Sequence, residues 1–239
     1  MRSLVLRTPF FILIQETHMT TLSTPTSIDH IIFGNEDSRD RIYDIVNGNE
    51  VLPSTGVTGI LLYGIYGTGK TTLAKLLPQA IERVKANDDD ADPHVKFFEC
   101  QNKVSAKEIL NISSQTNFYP LGQSLHYFII DEVDRLDKDQ QKDLRAAMNQ
   151  PKSLFILTTN IPSAVEHGLL SRCVTIDMNA ASAEQLLPLA RQAIAGMDVE
   201  IPDADLLKLI PKCNGAIRTL AHDIPAYARK KQRELLKAA

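Results

Sequence analysis

Five short apolar runs punctuate the chain: Ile60-Leu61-Leu62-Tyr63, Val95-Lys96-Phe97-Phe98, Tyr127-Phe128-Ile129-Ile130, Leu154-Phe155-Ile156-Leu157 and Val174-Thr175-Ile176. They are near-continuous rather than alternating, as strands of a parallel sheet covered on both faces must be. Between them the apolar positions switch to helical spacing. Leu73, Leu76, Leu77, Ala80, Ile81 and Val84 keep one stripe, which predicts a helix over 71–84 that Pro78 should kink or break. A second helix is predicted after Asp137, a good N-cap, burying Leu144, Ala147 and Met148. The acidic stretch from Asn87 to Pro93 reads as a surface turn. From Ala180 onward no strand is evident, and helical patterns cover about 182–196, 203–212 and 216–236. The pattern predicts an α/β domain over 28–179, a parallel five-stranded sheet flanked by helices, and a small all-α lid domain over 180–239.

Residues 1–27 are expected to form a flexible leader. The apolar run from Leu4 to Ile14, broken by Arg7 and Pro9, is shorter than the roughly 20 residues that span a membrane. Gln15 to His18 supply no small-residue cleavage site, and Met19 offers an alternative start. The 239 residues are 44% hydrophobic, which excludes a disordered chain and allows a core without disulfide staples. Lys and Arg number 26 against 29 Asp and Glu, so the net charge of −3 excludes a bulk polycation. Locally the balance reverses: from Lys208 onward there are eight Lys or Arg against Asp223 and Glu234, with a core at Arg229-Lys230-Lys231-Gln232-Arg233. That segment is either a solvated helix end or a surface for phosphates. Cys100, Cys173 and Cys213 lie far apart, against a zinc site or disulfide framework and in favour of a reducing, cytoplasmic compartment.

The candidate chemistry begins at Gly64-Ile65-Tyr66-Gly67-Thr68-Gly69-Lys70-Thr71, which fits GxxxxGK[ST] between a predicted strand and a predicted helix. Glycines let backbone amides close around phosphates at a helix N-terminus, so Gly64, Gly67, Thr68, Gly69, Lys70, Thr71 and Thr72 are expected to bind ATP. Lys70 is expected to reach the β- and γ-phosphates, and the Thr71 hydroxyl to hold Mg²⁺. A plain Gly-rich turn would not explain a Lys and a Thr after the last glycine. The strand at 127–130 ends in Asp131-Glu132. Asp131 is placed to help hold Mg²⁺, and Glu132 to polarise an attacking water as general base.

Together with three later features, these motifs resemble the AAA+ ATPases of the clamp-loader group, the replication factor C type, over roughly 28–236. Asn160, after Phe155-Ile156-Leu157-Thr158-Thr159, stands where that family has its sensor-1 residue. Leu170-Ser171-Arg172-Cys173 matches its Ser-Arg-Cys motif, whose arginine reaches a neighbouring subunit's nucleotide. Gly215-Ala216-Ile217-Arg218 resembles its sensor-2 segment, and Leu144-Arg145-Ala146-Ala147-Met148 the helix after its acidic motif. The resemblance implies an ATP-hydrolysing subunit of an oligomer, built from itself or related subunits, with Glu132, Asn160, Arg172 and Arg218 catalytic and ATP with Mg²⁺ as cofactors. It implies DNA replication, in the cytoplasm or at a nucleoid or nuclear replication site, backbone contacts to DNA, a sliding clamp or a helicase as partner, and no membrane. It also implies a polar switch residue at Gln101, an adenine pocket along Ile31-Ile32-Phe33-Gly34, and DNA contacts among Lys103, Lys107, Lys138, Lys142 and Arg145. Clamp-loader subunits continue into a helical collar, for which the 21 residues after Arg218 leave no room. Two other readings therefore stay open: a phage or plasmid helicase loader or replication initiator, and a nucleotide-gated adaptor without significant turnover.

Overall fold

The computed structural model describes residues 22–100, 121–150 and 152–238. Gln101, Lys103, Lys107 and the leader up to residue 21 lie outside them. After a 3-10 turn at Ile28–His30 come α1 (Glu36–Val46), β1 (Gly59–Tyr63), α2 (Lys70–Ala86), β2 (Val95–Glu99), β3 (His126–Asp131) and α3 (Lys138–Ala147). There follow β4 (Ser153–Thr159), α4 (His167–Leu170), β5 (Cys173–Asp177), α5 (Ala183–Ala193), α6 (Asp203–Leu209) and α7 (Ile217–Ala238).

All five expected strands form one sheet in the order β2-β3-β4-β1-β5, every pair parallel. Successive side chains of a strand alternate between faces. On one face Ile60, Leu62, Tyr127, Ile129 and Ile156 pack against Leu73, Leu77 and Ile81 of α2 and Ile42 and Ile45 of α1. On the other, Leu61, Phe128, Ile130, Phe155 and Leu157 pack against Leu144, Met148 and Leu169 from the α3 and α4 side. Over β1, β3 and β4 both faces are covered, which explains their continuous apolar runs, whereas the edge strand β2 has no fully buried residue and leaves Phe97 exposed. A third cluster, including Leu186, Ala190, Leu206, Ile210, Leu220, Ile224 and Ala228, is shared by the C-terminal helices. Among the described residues no helix is long and apolar enough to cross a membrane.

Local chemistry accounts for the boundaries. Asp137 accepts from the N–H groups of Asp139 and Gln140, while the Gln140 side chain accepts from Asp137 N, a reciprocal capping box that starts α3 where expected. Ser182 and Gln185 do the same for α5. One helix was not expected, and one expectation needs correction. The sequence pattern did not announce α1: only Ser38, Ile42 and Ile45 of its eleven residues are buried, a stripe too narrow to stand out. Asn35 nonetheless caps it, accepting from Asp37 N at 2.9 Å. Pro78 does not break α2, which runs unbroken to Ala86 with Pro78 buried beside Leu77 and Ile81. The ring fills core volume there, so packing outweighs the missing donor.

Glu82 is a buried carboxylate the helical stripe does not reveal. It accepts from the Tyr127 hydroxyl at 2.6 Å and from the Ser124 N–H, tying α2 to the start of β3. Burial and this carboxylate hold the Tyr127 phenol well above its usual range.

The strand order reverses at β1, since α2 carries the chain from β1 to the far edge and β5 returns to its other side. Such a reversal opens a crevice at the carboxyl ends of the strands. Phe155 is fully buried and stacks on Phe128 at 5.0 Å between ring centroids. Phe155→Ala should remove about 3–5 kcal/mol of stability, read as a lowered midpoint in urea unfolding.

Candidate active site

The crevice holds a cleft of about 280 Å³, near the lower end of the roughly 300–1,000 Å³ typical of small-molecule sites. Its floor is the loop between β1 and α2. Gly64 must be glycine: its φ is +148°, and a Cβ would stand 2.6 Å from Met178 O. Three carbonyls of the loop are occupied by hydrogen-bond donors of the chain. Lys70 Nζ donates to Gly64 O at 3.0 Å and Ile65 O at 2.5 Å, Thr68 Oγ1 donates to Ile65 O at 3.1 Å, and Gly67 O accepts from Ile217 N at 2.9 Å. Ile65 N donates to Asn179 Oδ1 at 3.3 Å, and the amide groups that follow it are left for an anion, beside the N-terminus of a 17-residue helix. Thr71 and Thr72 open the first turn of α2 and line the same floor.

Burial pulls the Lys70 ammonium down to about 8. Asp131, Asp134 and Glu132 act against that fall, and the positive charge of Arg218 adds to it.

The acidic wall is built by β3 and β4 together. Asp131 Oδ1 accepts from Thr71 Oγ1 at 2.8 Å and from Thr158 Oγ1 at 2.6 Å. The same Thr158 hydroxyl accepts from Glu132 N at 2.9 Å, so one buried threonine fixes both acidic residues. Glu132 has φ +57°, a left-handed backbone that is costly outside glycine and recurs at functional sites. Its Oε2 is buried and accepts no hydrogen bond, and Arg135 Nε lies 3.5 Å away as an ion pair. Thr159 Oγ1 donates to Asp134 Oδ1 at 2.6 Å and accepts from Ile161 N at 3.0 Å, holding Asn160 at the apex of a turn facing the cleft.

These groups suit magnesium. Mg²⁺ takes oxygen ligands, one or two carboxylates and substrate phosphates, and retains water rather than entering an all-protein cage. Thr71 and Asp131 supply a hydroxyl and a carboxylate 2.8 Å apart, and no cluster of three or more His, Cys, Asp or Glu that could cage a metal occurs among the described residues.

The remaining walls come from distant segments. Ile31 and Ile32 line the cleft as expected, whereas Phe33 is core and Gly34 packs against the backbone of Ala180. Leu22, Ser23 and Pro25, from the arm expected to be flexible, also line it, with His30, Tyr66, Leu189 and Ile217. Sequence reasoning missed Leu22, Ser23, Pro25, His30 and Leu189, and also missed Thr158, because a threonine in a strand reads as ordinary β-branched filler. Arg218 enters from the first turn of α7.

Arg172 stands apart. Its carbonyl accepts from Thr58 N and Gly59 N, both at 3.0 Å, at the amino end of β1. The phosphate loop begins at the other end of that five-residue strand, about 16 Å away. Of the cations considered for DNA, Lys142 pairs with Asp139 at 2.9 Å, Arg145 with Glu166 at 3.2 Å and Lys231 with Glu234 at 3.5 Å. Lys138, Lys230 and Lys237 are exposed.

Residues 60–179 match the family described as "ATPase family associated with various cellular activities (AAA)". An uncharacterised AAA domain-containing protein of Mycobacterium tuberculosis is 32% identical over 148 residues, 60% of this chain and 30% of the relative. Replication factor C subunit 3 of Arabidopsis thaliana is 23% identical over 81% of this chain and 62% of its own length. The chain thus spans between about a third and three-fifths of these curated relatives. Among solved structures, the RuvB Holliday junction branch migration motor of Thermotoga maritima superposes with a TM-score of 0.63 at 22% identity, over 90% of this chain and 66% of that one, a likeness of fold. The AAA match spans half of the chain, from β1 to just past β5, and takes in the phosphate loop, Asp131, Glu132, Asn160 and Arg172; the chain belongs to the AAA family of ATPases.

Proposed function

We propose that the chain is an ATP-hydrolysing subunit of a clamp-loader-like assembly acting on DNA, and that each nucleotide site is completed by Arg172 of a neighbouring subunit. The observation that carries this reading is the division of charged groups between the two ends of the sheet. Lys70, Thr71, Asp131, Glu132, Asn160 and Arg218 converge at the carboxyl ends of the strands, whereas Arg172 lies a strand's length away, at the amino end. An arginine so placed has no route to the phosphates of its own site.

In the proposed reaction the loop amides and Lys70 hold the β- and γ-phosphates, and Arg218 meets them from the C-terminal helices, which act as a lid. When bound, Mg²⁺ on Thr71 and Asp131 neutralises phosphate charge. Glu132 Oε2, without a hydrogen-bond donor of its own, accepts a proton from water as the water oxygen attacks the γ-phosphorus. The bond to the β-phosphate oxygen breaks, and ADP and phosphate leave. Asn160 orients the water or γ-phosphate, and the neighbour's Arg172 stabilises the charge developing on the transferred group. The division into a sheet body over 28–179 and a lid over 180–239 is part of the proposal. DNA is expected to be held through its backbone, by the exposed cations of α7 and α3.

Lys70→Ala should abolish ATP binding, measured by calorimetry. Glu132→Gln should retain binding within about threefold and lower turnover at least about 100-fold, measured by phosphate release. Arg172→Ala should lower turnover about 10³-fold with ATP affinity unchanged. Mixing it with Lys70→Ala subunits should restore part of the activity, because each variant supplies what the other lacks; a mixture as inactive as its components would count against the trans arrangement. Stimulation by primed DNA together with a ring clamp supports the clamp-loader reading, whereas stimulation by a helicase supports the loader alternative.

Lys70 also sets a pH dependence. In the free chain its proton is lost as pH rises through about 8, and bound phosphates favour the charged form. ATP affinity should therefore be level near pH 7 and fall up to about tenfold per unit above pH 8, with proton uptake on binding seen in buffers of different ionisation enthalpy. The stability contribution has the opposite sign. The folded-state value lies below the ordinary 10.5, so this group penalises the fold below about 8 and the penalty is relieved as pH approaches 10.5.

A further inference from the structure

The guanidinium of Arg172 is already held in place by its own chain. Nε and Nη2 both donate to Asn149 Oδ1, at 3.0 and 2.9 Å, and Nη1 donates to Gly168 O at 2.9 Å. Three of the five N–H groups are engaged, which leaves one on each terminal nitrogen for another acceptor. The backbone beneath both partners is tied by one buried residue. Thr58 donates its hydroxyl to Met148 O at 2.5 Å and its N–H to Arg172 O at 3.0 Å. Thr58 O in turn accepts from Phe155 N at 2.9 Å, so this bracket is built into the lower edge of the sheet. The Gly168 carbonyl is fixed as well, because Glu166 caps α4 by accepting from Leu169 N at 3.0 Å.

We propose that Asn149, seated on the Thr58 bracket, is a positioning residue that presets the Arg172 fork for the phosphoryl group of a nucleotide bound by the adjacent subunit. This rests on the reading of Arg172 as a residue acting in trans. The chemistry of the acceptor supports it. A neutral amide oxygen orients the guanidinium and leaves its positive charge uncancelled, whereas a carboxylate at the same place would neutralise the charge that an anion is to meet. The nearby carboxylate, Glu166, is instead engaged by Arg145 at 3.2 Å. A fork ordered before docking also loses less side-chain freedom when the phosphate arrives.

Steady-state ATPase kinetics of the assembled protein test this with Asn149→Ala, Arg172→Ala and the double variant. Asn149 is exposed, so its truncation leaves the fold intact, checked by an unchanged urea midpoint. Asn149→Ala should lower kcat roughly 5- to 20-fold with KM for ATP within about twofold. In the Arg172→Ala background it should change nothing further. Asn149→Asp should lower kcat at least as far as the alanine variant, since it restrains the fork and cancels its charge. Full turnover in Asn149→Ala, or an equal loss persisting without Arg172, overturns the proposal while leaving the trans reading standing. Unchanged turnover in Arg172→Ala overturns the trans reading itself.

Discussion

Parallel pairing of five strands is the constraint on which the rest depends. Because every strand points the same way, whatever follows β1, β3 and β4 emerges at one edge of the sheet and whatever precedes β5 lies at the other. The phosphate loop, the acidic pair and Asn160 meet without long reaches for this reason. Arg172 is removed from them by the same rule. The directionality follows from the crossover connections between the strands, whose helices also cover the faces of the inner strands.

Within the site, hydrogen-bond donors and acceptors are sorted by destination. The loop carbonyls of Gly64, Ile65 and Gly67 are occupied by Lys70, Thr68 and Ile217, so that anionic phosphates meet N–H groups rather than oxygen lone pairs. The wall opposite uses threonine hydroxyls, which donate and accept at once, to carry order from one strand to the next. Thr158 joins Asp131 to the Glu132 backbone, and Thr159 joins Asp134 to the turn that presents Asn160. Carboxylates packed this closely would repel one another in a dry pocket; these hydroxyl donors and the Lys70 ammonium offset that repulsion.

The strands and the phosphate loop were legible in the sequence because each rests on a strong local pattern, continuous apolar residues in one case and glycine spacing before Lys-Thr in the other. The N-cap Asp137 of α3 was legible for the same reason, though its reciprocal partner Gln140 was not noticed. Helix α1 was not, since its stability comes from packing Ile42 and Ile45 against α2 and the sheet rather than from its own polar sequence. The breaking power of Pro78 was overestimated, because propensity ignores the volume a buried ring fills. Thr58, Thr158 and Asn149 went unnoticed because their significance lies in partners 90, 27 and 23 residues away, at Met148, Asp131 and Arg172. The cleft walls contributed by Leu22, Pro25 and Leu189 have the same origin.

The sequence distance between the phosphate loop and its supports bears on how the chain is made. Ile65 N donates to Asn179 Oδ1 at 3.3 Å across 114 residues, Gly64 packs against Met178, and Gly67 O waits for Ile217 N. During synthesis from the amino end, the loop leaves the ribosome long before any of these partners exists. Its glycines stay unconstrained until β5 is added to the sheet, and the Gly67 carbonyl stays bonded to water until α7 docks. At a translation rate of about 5–20 residues per second, the wait from the loop to Ile217 is on the order of ten to thirty seconds. Competence to bind nucleotide is therefore a late event in the life of the nascent chain, and a chain truncated before residue 217 would carry the whole glycine motif without the contacts that shape it.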